Sequence, residues 1–220
     1  MARPRKALLT REKVVDAAIT LIGVGGLETF SMHKLAAALG VRAPSLYHYF
    51  TDKNALLAAV ARELTLVDAV PDATAPDSDW AGYLTAQAVA LRGRIVAHPH
   101  CAPLLVQFMP RAAIFGDYEA LCGYLESCGV PARLHVRIVD GLSALTIGAA
   151  ILGENAAHYA VGGAGPTPEH AGHPRLHQAL AAVQGRSADQ MFAVYLQTYL
   201  DSIQREMPGD RTELTPAAAE

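Results

Sequence analysis

Helical spacing governs nearly every segment of this 220-residue chain: apolar residues recur every three and four positions, and no stretch alternates well enough to define a strand. The first stripe, Val14, Ala17, Ala18, Leu21 and Ile22, predicts a helix over 10–24, with Thr10 as its N-cap and Gly25-Gly26 as its stop. Ser31 is placed to cap a second helix with Leu35, Ala36 and Leu39 inward, and Gly40 ends it where a positive φ is easily adopted. Pro44 fits the first turn of a third helix, two turns at most, because its missing N–H costs nothing there. A fourth helix, capped by Thr51 or Asp52, runs through Leu56, Leu57, Val60 and Leu64 to about Ala69. The expected fold is all-α.

The acidic, Pro-rich stretch PDATAPDSD at 71–79 marks the expected boundary between head and body. Beyond it the spacing predicts helices from Trp80 to His98, over 101–108 and 113–127, from 131 to about 158, near 175–183, and over 187–206. A Gly- and Pro-rich loop at 159–174 interrupts them, and 207–220 reads as a disordered tail. Charge follows the same division. Residues 1–62 hold nine basic against four acidic residues, a net of +5, and the remainder nine against seventeen, a net of −8. An anion-binding head on a body that avoids polyanions fits this asymmetry.

Three cysteines, Cys101, Cys122 and Cys128, have no CxxC spacing, and the first residues lack a signal-peptide pattern, so the chain reads as cytoplasmic with reduced thiols. All three are expected to be core residues, with Cys101, beside His100, the one candidate for activation. The most apolar run, Ile138 to Leu152, contains Asp140 and is shorter than the roughly twenty residues needed to span a bilayer. It reads as a buried helix, without membrane association.

In GVRAPSLYHYFTDK, residues 40–53, Leu46 and Phe50 share one helix face and can pack on Leu35, Leu39 and Val41. Two short helices joined by Gly40-Val41-Arg42 then form a helix-turn-helix. Its outer surface carries Pro44, Ser45, Tyr47, His48 and Tyr49, with Arg42 at the N-terminal end, where a recognition helix meets base edges. A tyrosine hydroxyl can donate to phosphate, and arginine or histidine can bond guanine acceptors, so duplex DNA is the expected partner. Lys53 is placed for phosphate, His33 and Lys34 flank the same groove, and ARPRK at 2–6 is either a basic arm or a solvated tail.

The segment GLETFSMHKLAAALGVRAPSLYHYFTDKNALL closely resembles the helix-turn-helix signature of TetR-family transcriptional regulators, above all in the run from Leu46 to Lys53. The likeness covers about residues 10–57 without a gap. Trp80, AHPHCAPLL, Pro110, SCGVP and the long apolar helix resemble the ligand-binding domain of the tetracycline-repressor branch. The resemblance implies an all-helical homodimeric repressor, not an enzyme, that leaves its operator when a small molecule binds. It implies a helix-turn-helix DNA-binding domain at 1–57 with helix four, 52–69, as connector, and a helical ligand-binding and dimerisation domain at 70–206. It places Ser45, Tyr47 and Lys53 on phosphates, and His33, Arg42, Ala43, Pro44, His48 and Tyr49 toward bases. His33 stands where tetracycline repressors have Arg, implying a different operator. Their metal-coordinating His and drug-contacting Thr fall on Leu105 and Phe108, and a metal-directed Glu falls on Leu152, which speaks against magnesium-tetracycline.

The implied cavity is lined by Tyr83, Gln87, Leu91, Leu104, Leu105, Phe108, Met109, Leu121 and Tyr124, a set suited to a small apolar or aromatic effector. No cofactor is expected. His170, His173 and His177, with His98, His100 and His158 elsewhere, could bind zinc, but without CxxC or HExxH spacing no metal site is assigned. A metal-dependent enzyme using this loop and an effector-free architectural DNA-binding protein are the alternatives. Dimerisation is expected through helices 131–158 and 187–206, by the stripes Val139, Leu142, Leu145, Ile147 and Ile151, and Phe192, Tyr195, Leu196, Tyr199, Leu200 and Ile203. Such twofold symmetry implies a pseudo-palindromic operator.

Overall fold

The computed structural model describes residues 9–65, 79–108, 111–154, 172–183 and 186–207. The arm at 2–6, Ala69, nearly all of the 71–79 break, Met109, Pro110, His158, His170, most of the loop at 159–174 and the tail from 208 lie outside them. Among the described residues the chain is all-α, with α1 Arg11–Gly25, α2 Met32–Ala38, α3 Ala43–Leu46, α4 Lys53–Thr65, α5 Trp80–Ala97, α6 Ala102–Gln107, α7 Arg111–Ser127, α8 Ala132–Glu154, α9 Pro174–Val183 and α10 Ala188–Gln204. Two 3-10 turns, Leu27–Thr29 and Pro99–Cys101, complete it.

The chain is not cut once near residue 70. Residues 9–65 and 93–108 pack as one unit that extends to Gly116, while 79–92 and the chain from Asp117 onward form a second. The division falls inside α5 and inside α7.

In the first unit α1 begins where the Thr10 hydroxyl accepts the Lys13 N–H at 3.3 Å, and ends at Gly26, whose φ is +73°. It buries Val14, Val15, Ala18 and Ile22, whereas Ala17 and Leu21 of the expected stripe are half-buried. Between the two expected caps for α4, Asp52 is the one used, its carboxylate accepting the Ala55 N–H at 2.7 Å. The 3-10 turn at Pro99 packs on α1, and α6 packs on α4. Arg94 reinforces this by donating to the Leu64 carbonyl at 3.2 Å.

Cys101, fully buried, lies 4.0 Å from the Ile19 carbonyl, and burial pushes its thiol from 9.0 up to about 11. His100 does not activate it. The thiol is therefore protonated at neutral pH and belongs to the core.

In the second unit α8 packs on α10. A single core joins Trp80, Leu84 and Ala88 of α5 to Leu121, Tyr124 and Leu125 of α7, Leu134, Ile138 and Leu142 of α8, and Phe192, Leu196, Leu200 and Ile203 of α10. Ser187 caps α10 through a reciprocal box with Gln190, at 3.1 and 2.8 Å. Much of the stripe expected to meet a partner chain is thus consumed within the chain: Val139, Leu142, Phe192, Leu196, Leu200 and Ile203 are all buried. The helices' own mutual packing is the reason. What remains outside is Val136 and Leu152 on α8, each 58 % exposed, and Val194 on α10, none of them in the expected stripes, together with Tyr195, which is.

The run from Ala132 to Leu152 is longer than the fifteen residues read from sequence and is, by length and composition alone, long and apolar enough to cross a membrane, although part of it is buried inside the fold. Its buried face carries His135, which bonds the Val130 carbonyl at 2.8 Å. Arg92 is also buried; it pairs with Asp189 and lies 5.3 Å from the Phe192 ring centroid.

The α8–α10 contact depends on Gly141. The Tyr199 ring crosses α8 there, so that a Cβ on Gly141 would overlap its hydroxyl, which donates to the Arg137 carbonyl at 2.5 Å. Arg137 in turn holds Glu206 through two bonds of 2.9 and 2.6 Å, and this partner keeps the Glu206 carboxyl below the usual range.

Alanine is favoured over glycine in helices by about 1 kcal/mol, but overpacking costs about 1–3 kcal/mol. At Gly141 the overlap wins, so Gly141→Ala should destabilise the protein in urea unfolding. At Gly123, exposed with nothing within 4 Å of an added Cβ, alanine should instead stabilise it.

Alkaline stability follows from the buried acids. Burial also raises Tyr124 and Tyr118 from 10.0 to about 12, the latter with help from its bond to Asp140. Because these folded values, like that of Cys101, exceed the unfolded ones, their contribution is complete below about pH 9 and is lost as pH climbs to about 12. Unfolding midpoints measured across that range should fall. Native Cys101 should also be the last of the three thiols to react with iodoacetamide.

Candidate nucleic-acid interface

Ser31 starts the interface by accepting the Lys34 N–H at 3.2 Å, which opens α2. Its end is a Schellman closure: Gly40, with φ +65°, donates to the Ala37 carbonyl at 3.1 Å and Val41 to that of Ala36 at 3.0 Å. Only glycine takes that φ without strain, so Gly40 sets the angle at which the chain leaves α2. Arg42 follows in extended conformation as N-cap of α3, with no capping bond from its side chain, and Pro44 occupies the first turn.

This helix has four residues. It cannot persist by itself, since short helices are marginal in water. Leu46 and Phe50, 0 and 2 % exposed, hold it, and the Tyr49 and Phe50 N–H groups both bond the Leu46 carbonyl, at 3.0 and 3.1 Å. With those two anchors inward, Arg42, Pro44, Tyr47 and His48 stand outside, while Ala43 and Ser45 are half-buried. Tyr47 is 49 % exposed.

His33, Lys34 and Lys53 are exposed beside this surface. Lys34 donates to the Thr29 carbonyl at 2.8 Å, and Lys53 to that of Phe30 at 3.0 Å while lying 5.5 Å from the Phe30 ring centroid. An ammonium has three donors, so each of these tethers positions a cation and leaves capacity for an anion.

Tyr49 departs from the expectation that its ring faces bases. It is half-buried, and its hydroxyl donates to the Leu9 carbonyl at 2.6 Å. That carbonyl, just ahead of α1, offers an acceptor within the fold, and the phenol turns to it. Arg11 completes the arrangement by donating to the Tyr49 carbonyl at 2.8 Å, its guanidinium 4.2 Å from the Phe50 centroid. Sequence reasoning missed Arg11. Its only local signal is a cation at the first position of a helix, where the macrodipole favours acids.

The residues expected to line one cavity fall in two separately packed units. Leu104 and Leu105 are buried on α6, which packs against α4, and Phe108 is half-buried beside them in sequence. The second unit holds Tyr83, Gln87, Leu91, Leu121 and Tyr124, in which the Tyr83 and Tyr124 rings meet edge to face at 5.2 Å. Met109 is outside the described residues. Periodicity identified apolar faces but not which unit would bury them. Among the histidines, His100, His173 and His177 are exposed and His98 is half-buried.

Residues 14–60 match the family described as bacterial regulatory proteins, tetR family. The tetracycline repressor protein class A from transposon 1721 of Escherichia coli is 29 % identical over 191 residues, covering 86 % of this chain and 88 % of that one. A possible TetR family transcriptional regulator from Streptomyces coelicolor A3(2) shares the fold with a TM-score of 0.66 at 27 % identity, covering 89 % of this chain and 98 % of that one. ActR from Streptomyces coelicolor, solved with actinorhodin, reaches a TM-score of 0.68 at 21 % identity, over 92 % and 100 % of the two chains. Over residues 14–60 the chain carries the tetR-family helix-turn-helix, and its all-helical fold and these relatives make it similar to TetR-family transcriptional regulators, which are not enzymes.

Proposed function

We propose that this repressor binds a pseudo-palindromic operator as a homodimer in the cytoplasm and is released by a small apolar or aromatic effector other than magnesium-tetracycline. The observation that carries the reading is the outward set Arg42, Pro44, Tyr47 and His48, held out by Leu46 and Phe50. Arg42, His33 and His48 face base edges, with Ala43 and Pro44 offering apolar contact; Ser45, Tyr47, Lys34 and Lys53 lie along phosphates. Val136, Leu152, Val194 and Tyr195 form the face that meets the second copy.

For the effector, Tyr83, Gln87, Leu91, Leu121 and Tyr124 supply aromatic and aliphatic surface with a few polar anchors. Leu105, Phe108 and Leu152 offer no lone pair to a metal. Release would run through α5, whose far end lies beside the 3-10 turn and α6, which pack on α1 and α4. Displacing that segment would move α4 and, with it, the recognition helix.

Selecting fragments bound from the source genome tests the reading directly: enriched fragments should share two half-sites about 34–36 Å apart. Enrichment without a shared motif rejects it. Once that operator is in hand, Lys53→Ala should weaken binding to all sequences and lower the salt slope by about 1, whereas Arg42→Ala should relax base preference at one position in each half-site. Titrations at several salt concentrations separate the two. Effector and operator should weaken each other by the same factor. An operator affinity unchanged by a bound effector would leave only the effector-free alternative.

A further inference from the structure

The clasp between α1 and the turn after α3 uses four residues. Arg11 donates through Nη1 to the Tyr49 carbonyl at 2.8 Å and stacks 4.2 Å from the Phe50 centroid, while the Tyr49 hydroxyl returns a bond of 2.6 Å to the Leu9 carbonyl. The two hydrogen bonds run in opposite directions between the same pair of segments, thirty-eight and forty residues apart in sequence. A pair of this kind resists both sliding and rotation of one segment against the other, which a single bond does not.

Its location gives it consequence. α3 is four residues long, and Tyr47 and His48 lie beyond its last helical residue, in the turn that ends at Phe50. Leu46 anchors one end of that turn, and the clasp holds the other. Arg11 also sits in the first turn of α1, where a cation opposes the helix macrodipole. A charge-assisted bond to a carbonyl is stronger than a neutral one and offsets that cost.

We propose that Arg11 is a positioning residue for operator recognition: through the Tyr49 carbonyl and the Phe50 ring it fixes the turn that presents Tyr47 and His48, with Tyr49 as the returning half of the clasp. This rests on the reading of that surface as the base-contacting one. Arg11 then contributes to discrimination between sequences, not to the attraction for DNA as such.

The experiment compares the full-length protein with Arg11→Ala, Arg11→Lys and Tyr49→Phe, at a temperature where circular dichroism shows each fully folded. Affinities are measured for the operator selected from the genome and for a scrambled duplex, at several salt concentrations. The ratio of operator to scrambled affinity should fall about tenfold in Arg11→Ala, the scale of one charge-assisted hydrogen bond, with scrambled-duplex affinity and its salt slope unchanged. Arg11→Lys should not restore the ratio, since lysine keeps the charge but lacks the planar group that stacks on Phe50. Tyr49→Phe should lower the ratio by a smaller factor in the same direction.

Equal losses on both duplexes with a salt slope lower by about 1 would make Arg11 a phosphate contact and overturn the assignment. An unchanged ratio in Arg11→Ala, or full restoration by lysine, would overturn it as well. If the wild type selects no sequence, the base-contacting reading and this one fall together. Loss confined to the variants supports the clasp.

Discussion

Two apolar side chains, Leu46 and Phe50, carry the interface. A four-residue helix has no stability of its own, so its orientation is whatever the burial of these two residues dictates. Because they lie four positions apart, they fix one face inward, and the intervening Tyr47 and His48 go outward by geometry. The Schellman closure at Gly40 then sets where that face begins, and the tethered ammonium groups of Lys34 and Lys53 line its flank. Each feature would be of little use without the anchors.

The second unit is organised by a different constraint, close approach. Tyr199 can lie across α8 only because position 141 has no side chain, and the Arg137–Glu206 pair closes the same contact at the end of α10. An exposed pair of this kind adds little by itself; it gains meaning from the packed surface beneath it. Arg92 presents the opposite case. Its side chain is 9 % exposed while that of its partner Asp189 is 83 % exposed, so the arginine bears most of the desolvation and is held by packing on Phe192 as well as by charge.

Much of this was legible in the sequence where the signal was local. Thr10, Ser31, Gly40, Pro44 and Asp52 each act on neighbours within a few residues, and each stands where its chemistry indicates. What could not be read depends on partners distant in sequence. Tyr49 looks like its neighbours Tyr47 and His48 until the Leu9 carbonyl is placed beside it. The stripes of α8 and α10 announce that something covers them, but a periodic pattern does not say whether the cover is the same chain. Here much of it is, and apart from Tyr195 the large apolar side chains left exposed on these helices, Val136, Leu152 and Val194, lie off the expected stripes. The pocket residues divide for a similar reason, since the chain segment 93–108 returns to pack with the head.

The shortness of α3 bears on which positions of this surface are free to vary. Foldability resides in two inward positions, leaving the outward ones almost without structural duty. Substitutions at Arg42 or His48 therefore carry little penalty in stability, so that this outer surface can change while the scaffold beneath remains the same.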